Sequence, residues 1–229
     1  MEKRFLLTST QYPGNGGAAT NIYKINKYLL NNKIKVCCIY FLCKEDLDKI
    51  KIDPDNLNNI FYIRTCWKDG SLSYFEKETG NYIPYNEEYI NDFREKINNY
   101  LEGEPNIILS KNYRAPISSK ILFPEAKLYY LVSGVRFLSI LNNEHKDDIS
   151  SQKYINNKDR YNDIVKKYIE DKSIIQEINT LKLVDGIIYN SMLAKKLMKH
   201  FYDKYYEDIN LLKNEFIINT SNLNITDIF

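Results

Sequence analysis

The residues best placed to do chemistry in this 229-residue chain lie together near the N-terminus. The apolar run Phe5-Leu6-Leu7-Thr8-Ser9 leads into Thr10-Gln11-Tyr12-Pro13-Gly14-Asn15-Gly16-Gly17, and Ala18-Ala19-Thr20-Asn21-Ile22 follows. Three of the chain's 8 glycines fall within residues 14–17. Glycine tolerates positive φ and carries no Cβ, so a ligand can approach the backbone closely there. A helix starting just beyond presents unbonded N–H groups and a partial positive charge, which suits an anion or a set of hydroxyls. The plain alternative is a tight strand-to-helix turn that needs glycine and holds nothing.

Other chemistries find less support. Cys37, Cys38, Cys43 and Cys66 have no metal-ligand spacing, and the adjacent pair sits in an apolar run, so they read as buried thiols in a reducing compartment. No metal site is expected. His145 stands in a polar stretch and His200 in a polar turn of a helix, and both read as exposed. No carboxylate pair stands out as a general acid and base. Gly14-Asn15-Gly16-Gly17-Ala18-Ala19 does fit the dinucleotide pattern G-x-G-x-x-A, which leaves a NAD- or FAD-binding domain as one alternative. Against it, Thr10 to Pro13 separate the glycines from the strand, and the second strand ends Tyr40-Phe41-Leu42-Cys43, with acids only at Glu45 and Asp46.

The elements that must position these residues alternate between strand and helix. Helical spacing of Ala18, Ile22, Ile25 and Leu29 predicts a helix over 18–31. Strand-length apolar runs follow at 35–42 and 59–64, then at 106–110, 127–132, 185–189 and 215–219. Continuous apolar runs of this kind fit parallel strands buried on both faces. Residues 65–85 read as an irregular excursion or a small hairpin. Further helices are expected over 85–101, 115–123, 163–183 and 192–205, the last capped by Ser191. Residues 142–162 are dense in Asn, Asp, Lys and Ser and read as a mobile loop. The fold class is therefore α/β, a three-layer Rossmann-like domain with a mostly parallel sheet flanked by helices, spanning 1–229 as a single domain.

In an open parallel sheet, ligands bind beyond the carboxyl ends of the strands. Those ends are Thr10 to Gly17, Lys111-Asn112-Tyr113-Arg114, Ser133-Gly134-Val135-Arg136 and Asn190-Ser191. The candidate binding residues are accordingly Gly16, Gly17, Ala18, Asn112, Ser133, Gly134, Arg136 and Ser191. Arg136 can pair with a phosphate or a carboxylate, or can simply be solvated.

Composition sets outer limits. With 32 basic and 30 acidic residues the net charge is +2, which gives no support to a nucleic-acid surface. No apolar stretch approaches the ~20 residues of a membrane span, and Met1-Glu2-Lys3-Arg4 does not open a signal peptide. A cytoplasmic location is expected. Twenty Tyr residues and abundant Asn, Lys and Ile point to an AT-rich coding sequence rather than to a function.

Two segments carry a resemblance. Tyr12-Pro13 with Gly16-Gly17, after a strand and before a helix, resembles the opening of GT-B-fold glycosyltransferases of the family-4-like group. Asn32-Lys33-Ile34-Lys35-Val36 stands where that group often has G-H-x-V. Leu183-Val184-Asp185-Gly186-Ile187-Ile188-Tyr189-Asn190-Ser191 is similar to its A-D-x-I-I-x-x-S strand and following helix. The resemblance implies the N-terminal, acceptor-side Rossmann-like domain, with the Gly16-Gly17 loop facing the cleft near the donor phosphates and the acceptor. It implies a nucleotide-sugar and a sugar acceptor as partners, no separate cofactor, and a donor-binding domain supplied by another segment or chain. Such a half is expected to be inactive alone. Ser133-Gly134 stands where the group usually has His or another polar residue. Glu207 and Glu215 have the group's E-x7-E spacing, but no glycine lies between them, and the match reads as coincidence. The competing class is a non-catalytic module of the same origin that binds glycans or protein.

Overall fold

A computed structural model of the chain describes residues 2–12, 17–43, 46, 58–65, 72–76, 81–132, 134–145, 156, 165–205 and 214–217. The order of elements is β1 (Arg4–Ser9), α1 (Gly17–Asn31), β2 (Lys35–Leu42), β3 (Ile60–Arg64), β4 (Ser73–Glu76), β5 (Asn81–Pro84), α2 (Glu87–Leu101), β6 (Ile107–Lys111), α3 (Ala115–Leu122), β7 (Lys127–Val132), α4 (Arg136–His145), α5 (Lys172–Leu183), β8 (Gly186–Tyr189), α6 (Met192–Tyr205) and β9 (Asn214–Ile217). The strand order is β3-β2-β1-β6-β7-β8-β9 in one seven-stranded sheet. Within it β1 runs parallel to β2 and β6, β2 to β3, and β8 to β9. The α/β Rossmann-like class read from the sequence is the class observed. The chain divides into two compact units, Met1–Tyr130 and Leu131–Phe229.

In the first unit, β1 and β2 are apolar without alternation because helices cover both faces. Phe5, Leu6 and Leu7 are fully buried, as are Val36 through Leu42. The parallel connection β1–α1–β2 moves one way across the sheet and β6–α3–β7 the other. Right-handed crossovers therefore put α1 and α3 on opposite faces. Helix α1 buries Ile22, Ile25 and Leu29 as its spacing predicts; each such side chain contributes about 1.5–3 kcal/mol. The side chain of Ala18 lies outside the described residues. Helix α2 starts where the Asn86 side chain accepts from the Tyr89 amide, and it buries Phe93, Ile97 and Leu101, while Tyr89 faces solvent. The Phe93 and Tyr100 rings both meet Phe61 of β3 edge-on. β4 runs antiparallel to β5, as in the small hairpin that is one of the two readings for this stretch.

In the second unit, two expectations are corrected. The helix expected over 163–183 is shorter: α5 begins at Lys172 because the Asp171 side chain accepts from the Ser173 amide at 2.8 Å and caps it. A separate short turn, from Val165 to Glu170, precedes it. Helix α4, absent from the sequence reading, runs from Arg136 to His145 on the buried residues Phe137, Leu138, Ile140 and Leu141. It carries helix into 142–145, where a loop was expected, and His145 is its last residue. The rest of the expected loop, apart from Asn156, lies outside the described residues. Helix α6 buries Leu197, Met198, Phe201 and Tyr202, and Phe137 stacks on Phe201 at 4.8 Å between centroids.

Candidate functional site at the carboxyl ends of the strands

Three hydroxyls tie the centre of the first unit together. Thr8 donates to Ser110 Oγ at 2.7 Å, Ser119 of α3 donates to the Ala115 carbonyl at 2.7 Å, and the Thr8 and Ser119 hydroxyls lie 2.9 Å apart. All three residues are fully buried. Their side chains therefore point toward α3. Because successive strand residues face opposite sides, Ser9 and Lys111 point the other way, toward the face covered by α1. The register pairs Thr8 with Ser110, so one residue further along Ser9 is level with Lys111.

Ser9 shapes the exit from β1. Its hydroxyl accepts from the Gln11 amide at 3.2 Å and lies 3.0 Å from Asn112 Oδ1. Asn112 has φ of 70°, the left-handed region that Asn tolerates better than most residues. That conformation turns the chain off β6 and brings the Asn112 side chain back to Ser9. The exits of β1 and β6 are thus adjacent at Ser9 and Asn112. Among the described residues no hydrogen bond uses the Asn112 Nδ2 protons.

Lys111 is the residue that sequence reasoning placed on the rim without assigning it a role. It is 3 % exposed. Among the described residues no hydrogen bond or ion pair reaches its Nζ. Burial pulls its pKa down from 10.5 to about 8. The signal available in sequence was its position at a strand's carboxyl end; its burial comes only from packing.

Of the other predicted residues in this unit, Gly17 is the first residue of α1 and Ala18 the second. Gly16 lies outside the described residues, as do Pro13 to Asn15. At the end of β2, where a ribose-binding acid would stand in a dinucleotide site, the Cys43 thiol donates to the Asp46 carboxylate at 3.1 Å. Cys37 and Cys38 are buried in β2, and burial pushes the Cys37 thiol pKa up strongly. Cys66 lies outside the described residues.

In the second unit the Asn190 amide donates to the Val132 carbonyl at 3.1 Å, which sets the carboxyl ends of β7 and β8 side by side. Gly134 and Ser191 are exposed there. A Cβ on Gly134 would meet nothing within 4 Å. Ser191 accepts from the Ala194 amide at 3.1 Å and caps α6, as expected. Ser133 lies outside the described residues. Arg136 is held internally: its Nε donates to Ser173 Oγ at 2.8 Å and its amide to Glu177 Oε2 at 3.1 Å. Glu177, 1 % exposed, also accepts from the Tyr202 hydroxyl. Burial raises the Asp171 pKa, but hydrogen bonds from the Ser173 hydroxyl and from the Ser173 and Ile174 amides, with the Arg136 charge, outweigh it and hold the carboxyl below its usual range. Glu215 has a structural environment: it pairs with Lys195 at 2.6 Å and accepts from the Tyr189 hydroxyl at 3.2 Å. Glu207 lies outside the described residues.

Among the described residues no cluster of His, Cys, Asp and Glu could hold a metal ion, and no helix is long and apolar enough to cross a membrane.

No family model matches the chain, and no curated protein matches it. Solved structures do. The chain is similar to sucrose-phosphate synthase from Thermosynechococcus elongatus, at 12% identity over 94% of this chain and 48% of that one, with a TM-score of 0.47. A variant of Os79 from O. sativa, in complex with UDP, matches at 9% identity over 96% of this chain and 52% of that one, TM-score 0.48. The N-terminal domain of trehalose-6-phosphate phosphatase from Candida albicans matches at 14% identity over 94% and 48%, TM-score 0.47. The chain spans about half the length of these solved structures.

Proposed function

We propose that this chain is the acceptor-side domain of a two-domain glycosyltransferase. It contributes to transfer of a sugar from a nucleotide-sugar to an acceptor, together with a donor-binding domain outside these residues. The observation that carries the reading is the junction at the carboxyl ends of β1 and β6. There β1 ends at Ser9, whose hydroxyl meets the Asn112 side chain, Lys111 is level with Ser9, and α1 begins at Gly17. Backbone N–H groups at the start of α1 suit phosphate oxygens or sugar hydroxyls. The second resembling segment folds as the motif requires, with Gly186–Tyr189 as a strand and Ser191 capping the next helix. In this reading Gly16, Gly17, Ala18 and Asn112 line the ligand side of the first unit, and Ser133, Gly134 and Ser191 the strand ends of the second. Arg136 serves the second unit's own packing first.

A thermal-shift panel of UDP-sugars, GDP-sugars, free sugars and NAD tests the proposal. A ligand present at 100 times its dissociation constant stabilises the fold by ~2.7 kcal/mol. Stabilisation by a sugar or nucleotide-sugar is the expected result, lost in Gly17→Val without a fall in the unliganded melting temperature. Stabilisation by NAD alone, or by nothing in the panel, overturns it.

A further inference from the structure

A cation that is almost wholly buried and meets no anion is unfavourable unless something else supplies the counter-charge. Lys111 has 3 % of its surface exposed, and no anion among the described residues reaches its Nζ; that atom is not one of the enclosed polar atoms left without a partner, so the side chain is packed along its length and its ammonium opens to solvent at the strand end. Its position is specific. It ends β6, level with Ser9, next to Asn112, whose Oδ1 is taken by Ser9 and whose Nδ2 protons have no partner among the described residues. It points to the face covered by α1, a 15-residue helix that begins at Gly17 at the same end of the sheet. An ammonium and an amide NH2 on adjacent residues thus stand at the end of the sheet where α1 begins. Departures from good packing of this kind concentrate where a ligand completes the site.

We infer that Lys111 is an oxyanion-binding residue, its ammonium taking a phosphate or carboxylate group of a small-molecule ligand, with the Asn112 side-chain amide donating to the same group. The ligand supplies the negative charge that the fold omits. This deepens the proposed function by giving the ligand of that corner an anionic group, and it rests on the reading of the corner as a ligand site. Burial of the side chain pulls the Lys111 pKa down to about 8, and a bound oxyanion would raise it again.

The test titrates the wild-type chain with inorganic phosphate and, separately, acetate, and repeats both with Lys111→Met and Lys111→Arg. Wild type is expected to bind at least one of them, which tells phosphate from carboxylate as the preferred group. Lys111→Met is expected to weaken binding at least tenfold without lowering the melting temperature, and Lys111→Arg to retain more affinity than Met. In case the variants fail to fold, the 13Cε signal of Lys111 in wild type reports directly: its apparent pKa rises when the oxyanion binds. No binding of either anion to wild type, equal binding in Lys111→Met, or an unchanged Lys111 pKa with anion bound overturns the inference. The two proposals fail separately. Nucleotide-sugar binding with an indifferent Lys111 leaves the function standing, and a responsive Lys111 without any sugar or nucleotide-sugar binding leaves only the oxyanion site.

Discussion

Two buried ionisable side chains, Glu177 within α5 and Lys111 at the end of β6, are treated in opposite ways by this fold. In the second unit, Glu177 is surrounded by donors: the Tyr202 hydroxyl and the Arg136 amide both end on its Oε2, and the Arg136 guanidinium is fixed by Ser173. In the first unit, Lys111 is as deeply buried but meets no acceptor among the described residues. The first arrangement is complete without a ligand and reads as architecture. The second is incomplete, and incompleteness at the carboxyl edge of a parallel sheet is where ligand chemistry is expected. An arginine that sequence offers as a phosphate binder is here committed to Ser173 and Glu177 of α5, whereas the Lys111 side chain is packed without an anion beside it among the described residues.

Breaking the complete network should have the largest effect. Glu177→Ala leaves the Tyr202 hydroxyl and the Arg136 amide without their acceptor in a buried setting, and urea unfolding should show a loss of about 2–4 kcal/mol. A loss near zero would mean that the second unit does not depend on that carboxylate.

The incomplete site should respond with the opposite sign. A lysine whose pKa falls from 10.5 unfolded to about 8 folded binds its proton less tightly in the native state. The penalty is full below pH 8 and is relieved as the pH rises between 8 and 10.5, because there the unfolded chain holds the proton and the folded one does not. Lys111→Met removes the penalty, so the variant should be more stable than wild type by up to roughly 3 kcal/mol at pH 7. The gap should close toward pH 10.5. A variant less stable than wild type at pH 7 would show that Lys111 is structurally satisfied.

Asp171→Ala should have the smallest effect, about 1 kcal/mol from loss of the α5 cap. Because the Asp171 carboxyl sits below its usual range, its contribution is present above the unfolded pKa and is lost as the pH falls through the folded one. The deficit of Asp171→Ala relative to wild type should therefore shrink in acid, measured as the difference in melting temperature from pH 7 downward.

Much of the frame was legible because parallel strands buried on both faces announce themselves as unbroken apolar runs; Val36 to Leu42 needed no context to be read. Helix α4 was missed for a physical reason. Its four apolar residues, Phe137, Leu138, Ile140 and Leu141, span barely one turn before Asn142-Asn143 give the stretch a loop's composition. The helix over 163–183 was drawn too long because Tyr168 continues the apolar spacing, while Asp171 turns its side chain onto the Ser173 amide and starts α5 afresh. The rim was legible through the strand-end rule, and Asn112 does follow the last residue of β6. Its buried lysine was not. A terminal lysine on a strand is normally solvated, and the burial of the Lys111 side chain comes from tertiary packing that its sequence position does not announce.

The central claim, that the carboxyl ends of β1 and β6 receive a sugar or nucleotide-sugar, is tested most directly by backbone amide NMR of the 229-residue chain during titration with UDP-glucose, GDP-mannose and free glucose. The account predicts shifts clustered at Ser9 to Tyr12, at Gly17 to Ala19 and at Lys111 and Asn112. Shifts confined to the amino ends of the strands, or no shift with any of the three, would contradict it.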